Sequence, residues 1–385
     1  MNIKFSSVIL TIFFSCLAFQ NMAQSHPETI QKITQVCKTH EYYTAQKGLW
    51  KQVVDKNPTN ADAWYNYYKA SRYAHITSGY DTVFNKSRFQ SLRSIIDGME
   101  RHIPNSFEFH ICKWVNEGND SKNLNHLERA HALRPNEVEP IIDLLTYSEF
   151  QGDTTRRNDY ARRWFQLGQT SPGLLNYNYN VLQSLKPNAI LMTYGDNDTY
   201  PLWILQAVFH VRADVKVINT SMVYRYDYAK IINRELGINL PNCEENSCQM
   251  TSMLLDHLPK NKSQRPVYLT LTSEMDADVK SKHFAHLYLT GLAYEYSDKK
   301  LDNLGLMKKN VEKKFALDYL TISFSNDHSV SSVREINTNY VIPFLTLYKH
   351  YMAAEEIEKA KYYRGLVEQI MTAAHREGEL MEIFK

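Results

Sequence analysis

The sequence predicts an α/β plus all-α protein, with tetratricopeptide-like helical hairpins flanking a small parallel α/β sheet domain. Three observations carry this. Amphipathic segments broken at Pro58, Pro104, Pro135 and Pro172 recur at intervals near the ~34-residue period of tetratricopeptide repeats. After Lys186-Pro187-Asn188 short apolar runs alternate with helical stretches, the signature of βαβ units. From Asp302 the helical pattern returns.

The N-terminus reads as a signal peptide over residues 1–24. Lys4 supplies positive charge, and the apolar run from Val8 to Phe19 is shorter than the ~20 residues that span a bilayer. Cleavage is expected after Ala23 or Gln24. Cys16, preceded by Ser15, offers a lipoprotein reading that Phe13 and Phe14 fit poorly. No later run reaches the ~18 apolar residues of a membrane helix. The expectation is an exported chain, periplasmic or secreted, with no membrane span in its mature form.

Residues 25–185 are expected to form the helical repeat domain. Leu49, Trp50, Val53 and Val54 make one apolar stripe, and Ala63, Trp64, Tyr67 and Tyr68 begin the next across Asn57-Pro58-Thr59-Asn60. A single hairpin cannot bury such a face and must stack on its neighbour. Residues 186–300 are the small α/β domain, with parallel strands at 189–194, 214–219 and 266–272. Its helices run from 201 to 209 and from 226 to 236, the second ended by Gly237. Residues 301–385 are C-terminal hairpins, one of them turning at Ala354-Glu355-Glu356.

The formal charge of +2 comes from scattered Lys and Arg, so no groove for nucleic acid is marked. The 26 tyrosines suit a sugar- or peptide-binding surface, but fit better as filler between helices. Cys243 and Cys248 share a short polar loop and form a candidate disulfide. Pairing of Cys37 with Cys112 is a further option.

The best candidate site is the run Ala189-Ile190-Leu191-Met192-Thr193-Tyr194-Gly195-Asp196-Asn197-Asp198-Thr199-Tyr200-Pro201-Leu202-Trp203. It reads as a buried strand, an acidic turn and a helix start. Such a turn lies at a strand's carboxyl end, where open α/β sheets gather ligands. Asp196, Asn197, Asp198 and Thr199, with Tyr224 and Tyr226 after the next strand, are the ligand-binding candidates. Asp196 and Asp198 carry hard oxygen donors suited to a divalent cation, the one cofactor the sequence suggests. The bland reading is that Asp198 or Thr199 caps the helix while Asp196 ties the turn. His283 and His286, three apart, could share a helix face, but lack a third ligand. Ser221, Ser273 and Glu274 follow strands without a Gly-x-Ser-x-Gly elbow. Tyr68 and Arg72 are partner-binding candidates on the repeats. Tyr65 and Tyr73 lie beside them, and a later helix carries Arg156, Arg157, Arg162 and Arg163.

The Gly-Asp-Asn-Asp-Thr-aromatic-Pro-Leu-Trp core at 195–203 resembles the soluble C-terminal region of membrane proteins of Bacteroidetes related to protein O-mannosyltransferases, a domain of unknown function. Leu205-Gln206, Arg212-Ala213-Asp214-Val215, Arg265-Pro266-Val267-Tyr268 and Leu289-Thr290-Gly291-Leu292-Ala293-Tyr294 extend the likeness over roughly residues 186–370. It implies the α/β fold, a tetratricopeptide-like tail and an envelope location. The family's glycosyl transfer belongs to its membrane-embedded half, which this chain does not resemble. The expected function is therefore non-catalytic binding or scaffolding of a protein or glycan partner in the envelope. The alternative is a metal-dependent enzyme acting on a glycan or nucleotide-sugar through Asp196 and Asp198.

Overall fold

The computed structural model describes residues 26–33, 36–78, 86–118, 121–241, 249–258, 264–273, 275, 277–322, 327 and 329–384, without the side chains of 86–91. The signal-peptide reading, the Cys243–Cys248 pair and Glu274 lie outside the described residues. The chain divides into two compact units, Met1–His126 and Leu127–Lys385.

The first unit holds helices α1 (His40–Lys56), α2 (Ala61–Thr77), α3 (Lys86–His102) and α4 (Phe107–Asn116). Side-chain caps fix three of their starts. Thr39 accepts from the Tyr42 amide, Asn60 from Ala63 and Ser106 from Phe109. The extended segment before α1 is pinned by Ile30 N–H donating to Asn66 Oδ1 at 2.8 Å and by Trp50 Nε1 donating to the Glu28 carbonyl. The benzo edge of Trp64 packs against α3 at Gly98, where an added Cβ would sit 2.4 Å from the indole ring. Tyrosine is filler here: Tyr43 packs edge-on against Tyr42 and Tyr73. Tyr68 is 2% exposed, so its ring cannot face a partner. Arg72 is half-buried, with its guanidinium over the Tyr73 ring. Of the two partner-binding candidates, Tyr68 is thus an interior residue that the helices bury, while Arg72 keeps part of its surface exposed. Cys37 and Cys112 carry thiols rather than a shared disulfide.

A short helix, α5 (Leu124–Leu133), leads to α6 (Val138–Phe150), α7 (Thr154–Gln166) and α8 (Pro172–Gln183). The α6–α7 turn uses Gly152 at φ +69°, and the Asp153 carboxylate caps α7 through the Arg156 amide. Then come β1 (Ile190–Thr193), α9 (Tyr200–Phe209), β2 (Lys216–Asn219), α10 (Tyr226–Leu236), α11 (Met250–His257) and β3 (Val267–Thr270). Strands β4 (Leu287–Leu289) and β5 (Ala293–Tyr296) follow. The chain ends with α12 (Asn303–Lys313), α13 (Asp318–Thr321), α14 (Val330–Asn337), α15 (Val341–Ala353), α16 (Ile357–Ala373) and α17 (Leu380–Ile383).

The sheet order is β2-β1-β3-β5-β4. As expected, β1 pairs parallel with β2 and β3, Leu191 lying opposite Val217 and Tyr268. The sheet is mixed rather than parallel, however, since β5 and β4 add antiparallel. Two strands of three and four residues turn on Gly291, too short to show a period in sequence. At Gly291, φ +151°, a Cβ would meet Ser184 Oγ at 2.6 Å.

Strand residues alternate between two cores. Leu191, Val217 and Tyr268 face α8, α9 and the C-terminal helices, with Trp203, Tyr340 and Phe344. Ile190, Met192, Ile218, Val267 and Leu269 face α10 and α11, with Tyr228, Ile232 and Leu254. The helices lie on opposite faces because β1 to β2 and β2 to β3 cross in opposite directions with the same hand. Helices α15 and α16 form the expected hairpin, with Tyr351 stacked on Tyr363 at 5.8 Å. No helix among the described residues is long and apolar enough to cross a membrane.

Candidate functional site

The change of crossover direction makes a switch point between the carboxyl ends of β1 and β3, where α/β sheets open a ligand crevice. Here Asp198 reaches into that place. It is 2% exposed. Oδ1 accepts from the Gly195 amide at 2.7 Å, and Oδ2 accepts from the Tyr194 amide at 3.1 Å. Thr270 Oγ1, at the end of β3, donates to Oδ2 at 3.1 Å, and Thr272 Oγ1 donates to the same oxygen. One carboxylate thus ties the turn to itself and to the neighbouring strand. Ser273 Oγ and Thr270 Oγ1, 2.7 Å apart, continue the network toward the Met192 carbonyl.

A second knot closes the β1–β2 side. Thr199 Oγ1 donates to the Gly195 carbonyl at 2.6 Å, lies 2.7 Å from Thr193 Oγ1 and accepts from Asn219 Nδ2 at 2.9 Å. Thr220 Oγ1 donates to the Thr193 carbonyl. Asn178 Nδ2 on α8 donates to the Asn197 carbonyl. The expected helix caps are therefore corrected. Thr199 makes no side-chain cap to α9, and Asp198 accepts from amides that precede it, not from the helix. The main-chain carbonyl of Asp196 takes the Thr199 and Tyr200 amides.

The sequence candidates are thereby sorted. Asp198 and Thr199 are buried, Asn197 half-buried, and Asp196 and Tyr194 exposed. Asp196 and Asp198, paired in sequence as cation ligands, differ sharply in burial. Tyr224 packs against the α10–α11 core, while Tyr226 is 52% exposed with Lys230 Nζ 4.4 Å from its ring centre. Among the described residues, no group of three His, Cys, Asp or Glu side chains could hold a metal ion. His283 and His286 do not share a regular helix face. They fall in a π-turn and a 3-10 turn leading into β4, beside Asp256 and Asp298 respectively. Burial raises the Asp198 pKa, and the hydrogen bonds from Thr272, Tyr194, Gly195 and Thr270 act against that rise. Burial also drives the Tyr200 phenol well above its ordinary value.

Sequence reading missed a buried charge cluster. Glu149 on α6 receives Arg157 Nη1 at 2.7 Å, Lys216 Nζ at 3.4 Å and the Tyr228 hydroxyl at 3.1 Å. It ties α6 to α7, β2 and α10. Burial opposes its ionisation, but the Lys216 and Arg157 charges and the hydrogen bonds of Arg157 and Tyr228 outweigh that. The carboxyl is held below its usual range. The four residues come from four separate elements, so no local spacing announced them. Of the arginines grouped in sequence, Arg157 is buried here and Arg162 Nε donates to the Ala207 carbonyl.

The remaining motifs sit at the opposite end of the sheet. Arg212 pairs with Asp214 and donates to the Leu182 and Leu185 carbonyls. Arg265 donates to the Asn188, Ala189 and Asp214 carbonyls. Hydrogen bonding from Arg212 and the Asn188 amide lowers the Asp214 pKa to about 2, burial notwithstanding. These residues lock the strand entries together.

The family model of TMEM260-associated domain 2, which is linked to a protein O-mannosyltransferase-like family, matches residues 175–232. The match runs from α8 through the acidic turn and β2 into α10, and stops short of β3. No curated protein matches the chain.

Proposed function

We propose that this chain is an exported, non-catalytic binding or scaffold protein of the cell envelope that recognises a protein or glycan partner. The observation that carries the reading is the inward closure of the acidic turn. Both Asp198 oxygens are engaged by four donors, and Thr199 is held by three polar neighbours. A carboxylate committed in this way shapes a surface instead of reacting at one. The Tyr194 and Asp196 side chains are exposed on that turn while their main chains are tied into it, and pre-organisation lowers the ordering cost of binding. The likeness at 175–232 to a domain linked with mannosyltransferase-like proteins supports a glycan-related setting. Helical hairpins of tetratricopeptide type would extend the scaffold, and the signal-peptide pattern supports export.

The test is site-specific capture in the native cell. A photo-crosslinking amino acid is placed at position 194 or 196, with position 361 on the exposed face of α16 as control. The expected result is one discrete adduct from both turn positions and none from 361. Equal adducts from all three positions, or none from the turn, would remove the turn as the contact surface.

A further inference from the structure

We propose that the cleft between the end of α6 and α10 binds an anionic sugar residue, a uronate or a sulfated hexose. The proposal rests on the glycan-binding reading above and gives it a second place and a ligand class.

The cleft has a volume of about 420 Å³ and is lined by Phe150, Gln151, Asp227, Lys230, Ile231 and Arg234. That volume is in the range of small-ligand pockets, roughly 300–1,000 Å³. Charge is unbalanced there. Lys230 and Arg234 are exposed one turn apart, and Arg225 precedes them at the helix start, against one carboxylate, Asp227. Among the described residues none of these three cations enters an ion pair. Arg225 Nε is buried and has no hydrogen-bond acceptor in the fold. Its guanidinium lies 4.6 Å from the ring centre of Phe150, a residue of the cleft wall.

An aromatic surface lies beside the cations. Tyr226, Lys230 and Arg234 follow one another at four-residue spacing, so they share one helix face. The Tyr226 ring beside the cleft is 52% exposed, with Lys230 Nζ 4.4 Å from its centre, and its uncovered surface suits the apolar face of a pyranose, while Gln151 in the cleft wall offers amide groups to the hydroxyls. A carboxylate or sulfate suits the forked guanidinium of Arg234 beside the Lys230 ammonium.

The walls are fixed from behind. The Tyr228 hydroxyl donates to Glu149, and its ring packs 5.6 Å from Phe150, so the buried charge cluster clamps α6 to α10. At Gly152 the α6–α7 turn lies so close that a Cβ would sit 3.3 Å from Ile231 and 3.4 Å from Arg234 Nη2.

The experiment titrates the purified protein with methyl glucuronide, a sulfated methyl galactoside, methyl glucoside and sodium sulfate, followed by calorimetry at two salt concentrations. Both charged sugars are expected to bind, more weakly at high salt, and more tightly than methyl glucoside or sulfate alone. A Lys230→Ala, Arg234→Ala double variant, altered only at exposed positions, should lose at least about tenfold in affinity with its melting temperature unchanged. Equal binding of neutral and charged sugars, or charged-sugar binding that the double variant retains, overturns the proposal while leaving a glycan reading in place. Sulfate binding as tightly as the sugars reduces the cleft to an anion site and also overturns it. No binding of any sugar overturns the proposal, and the crosslinking at 194 and 196 then decides the broader reading.

Discussion

Asp198→Ala is expected to destabilise the Leu127–Lys385 unit by roughly 2–4 kcal/mol, whereas Asp196→Ala should change it by less than ~0.5 kcal/mol. The carboxylate accepts from two backbone amides and two threonine hydroxyls. Removing it strands the buried Thr270 hydroxyl and three partly buried donors together, and each stranded buried group costs about 1–3 kcal/mol. Thr270 keeps Thr272 and Ser273 as neighbours, which limits the total. A helix-capping aspartate would cost only about 1 kcal/mol. Urea unfolding of the two variants distinguishes the cases: a loss near that figure for Asp198→Ala would mean that the knot contributes no more than an ordinary cap.

Glu149→Gln is expected to cost about 3 kcal/mol at neutral pH, because breaking the buried ion pair leaves Arg157 without its counter-charge, while Lys216 keeps Glu235 at 2.8 Å. The variant should also change how stability depends on acid. The folded-state pKa of Glu149 is depressed, so its stabilisation is complete above the unfolded value of about 4.3. It is lost as pH falls from there through the folded value. Asp198 works in the opposite sense. Its pKa is raised, so ionisation penalises the fold, and that penalty is relieved as pH falls through the raised folded value toward about 3.9. Subtracting the Glu149→Gln curve from the wild-type curve removes the Asp198 contribution. The difference should be flat above pH 5 and shrink below about pH 4. A difference that is constant down to pH 2 would mean that the cluster is not ionised as described.

The legible parts of the sequence were those with a local period or a local stop. Strands β1, β2 and β3 were readable because each is a short apolar run ending in a turn. Helix α10 was readable because Gly237 closes it in the left-handed conformation, at φ +64°. The hairpin of α15 and α16 followed from its apolar stripe. Strands β4 and β5 carried no usable alternation over three and four residues, and the turn between them packs on Ser184, far back in the chain, whose Oγ accepts from the Leu292 amide. The turn at 194–199 was found as a site, but its wiring was not. Thr270 and Thr272 lie over 70 residues from Asp198, and nothing local says that β3 returns beside β1. Tyr68 was misplaced for the converse reason. An aromatic-rich helix face looks alike whether it meets solvent or a neighbouring helix, and only packing decides.

We propose that the acidic turn is a hydrogen-bonded knot supporting a binding surface, and not a catalytic metal centre. Calorimetry of the purified protein with Mg²⁺, Mn²⁺ and Ca²⁺, run beside the Asp196→Ala variant, tests it most directly. No saturable heat is expected with any of the three ions, and no change in melting temperature. Saturable binding that Asp196→Ala abolishes while the variant stays folded would contradict it. That result would favour a metal-dependent enzyme acting on a glycan or nucleotide-sugar through Asp196 and Asp198.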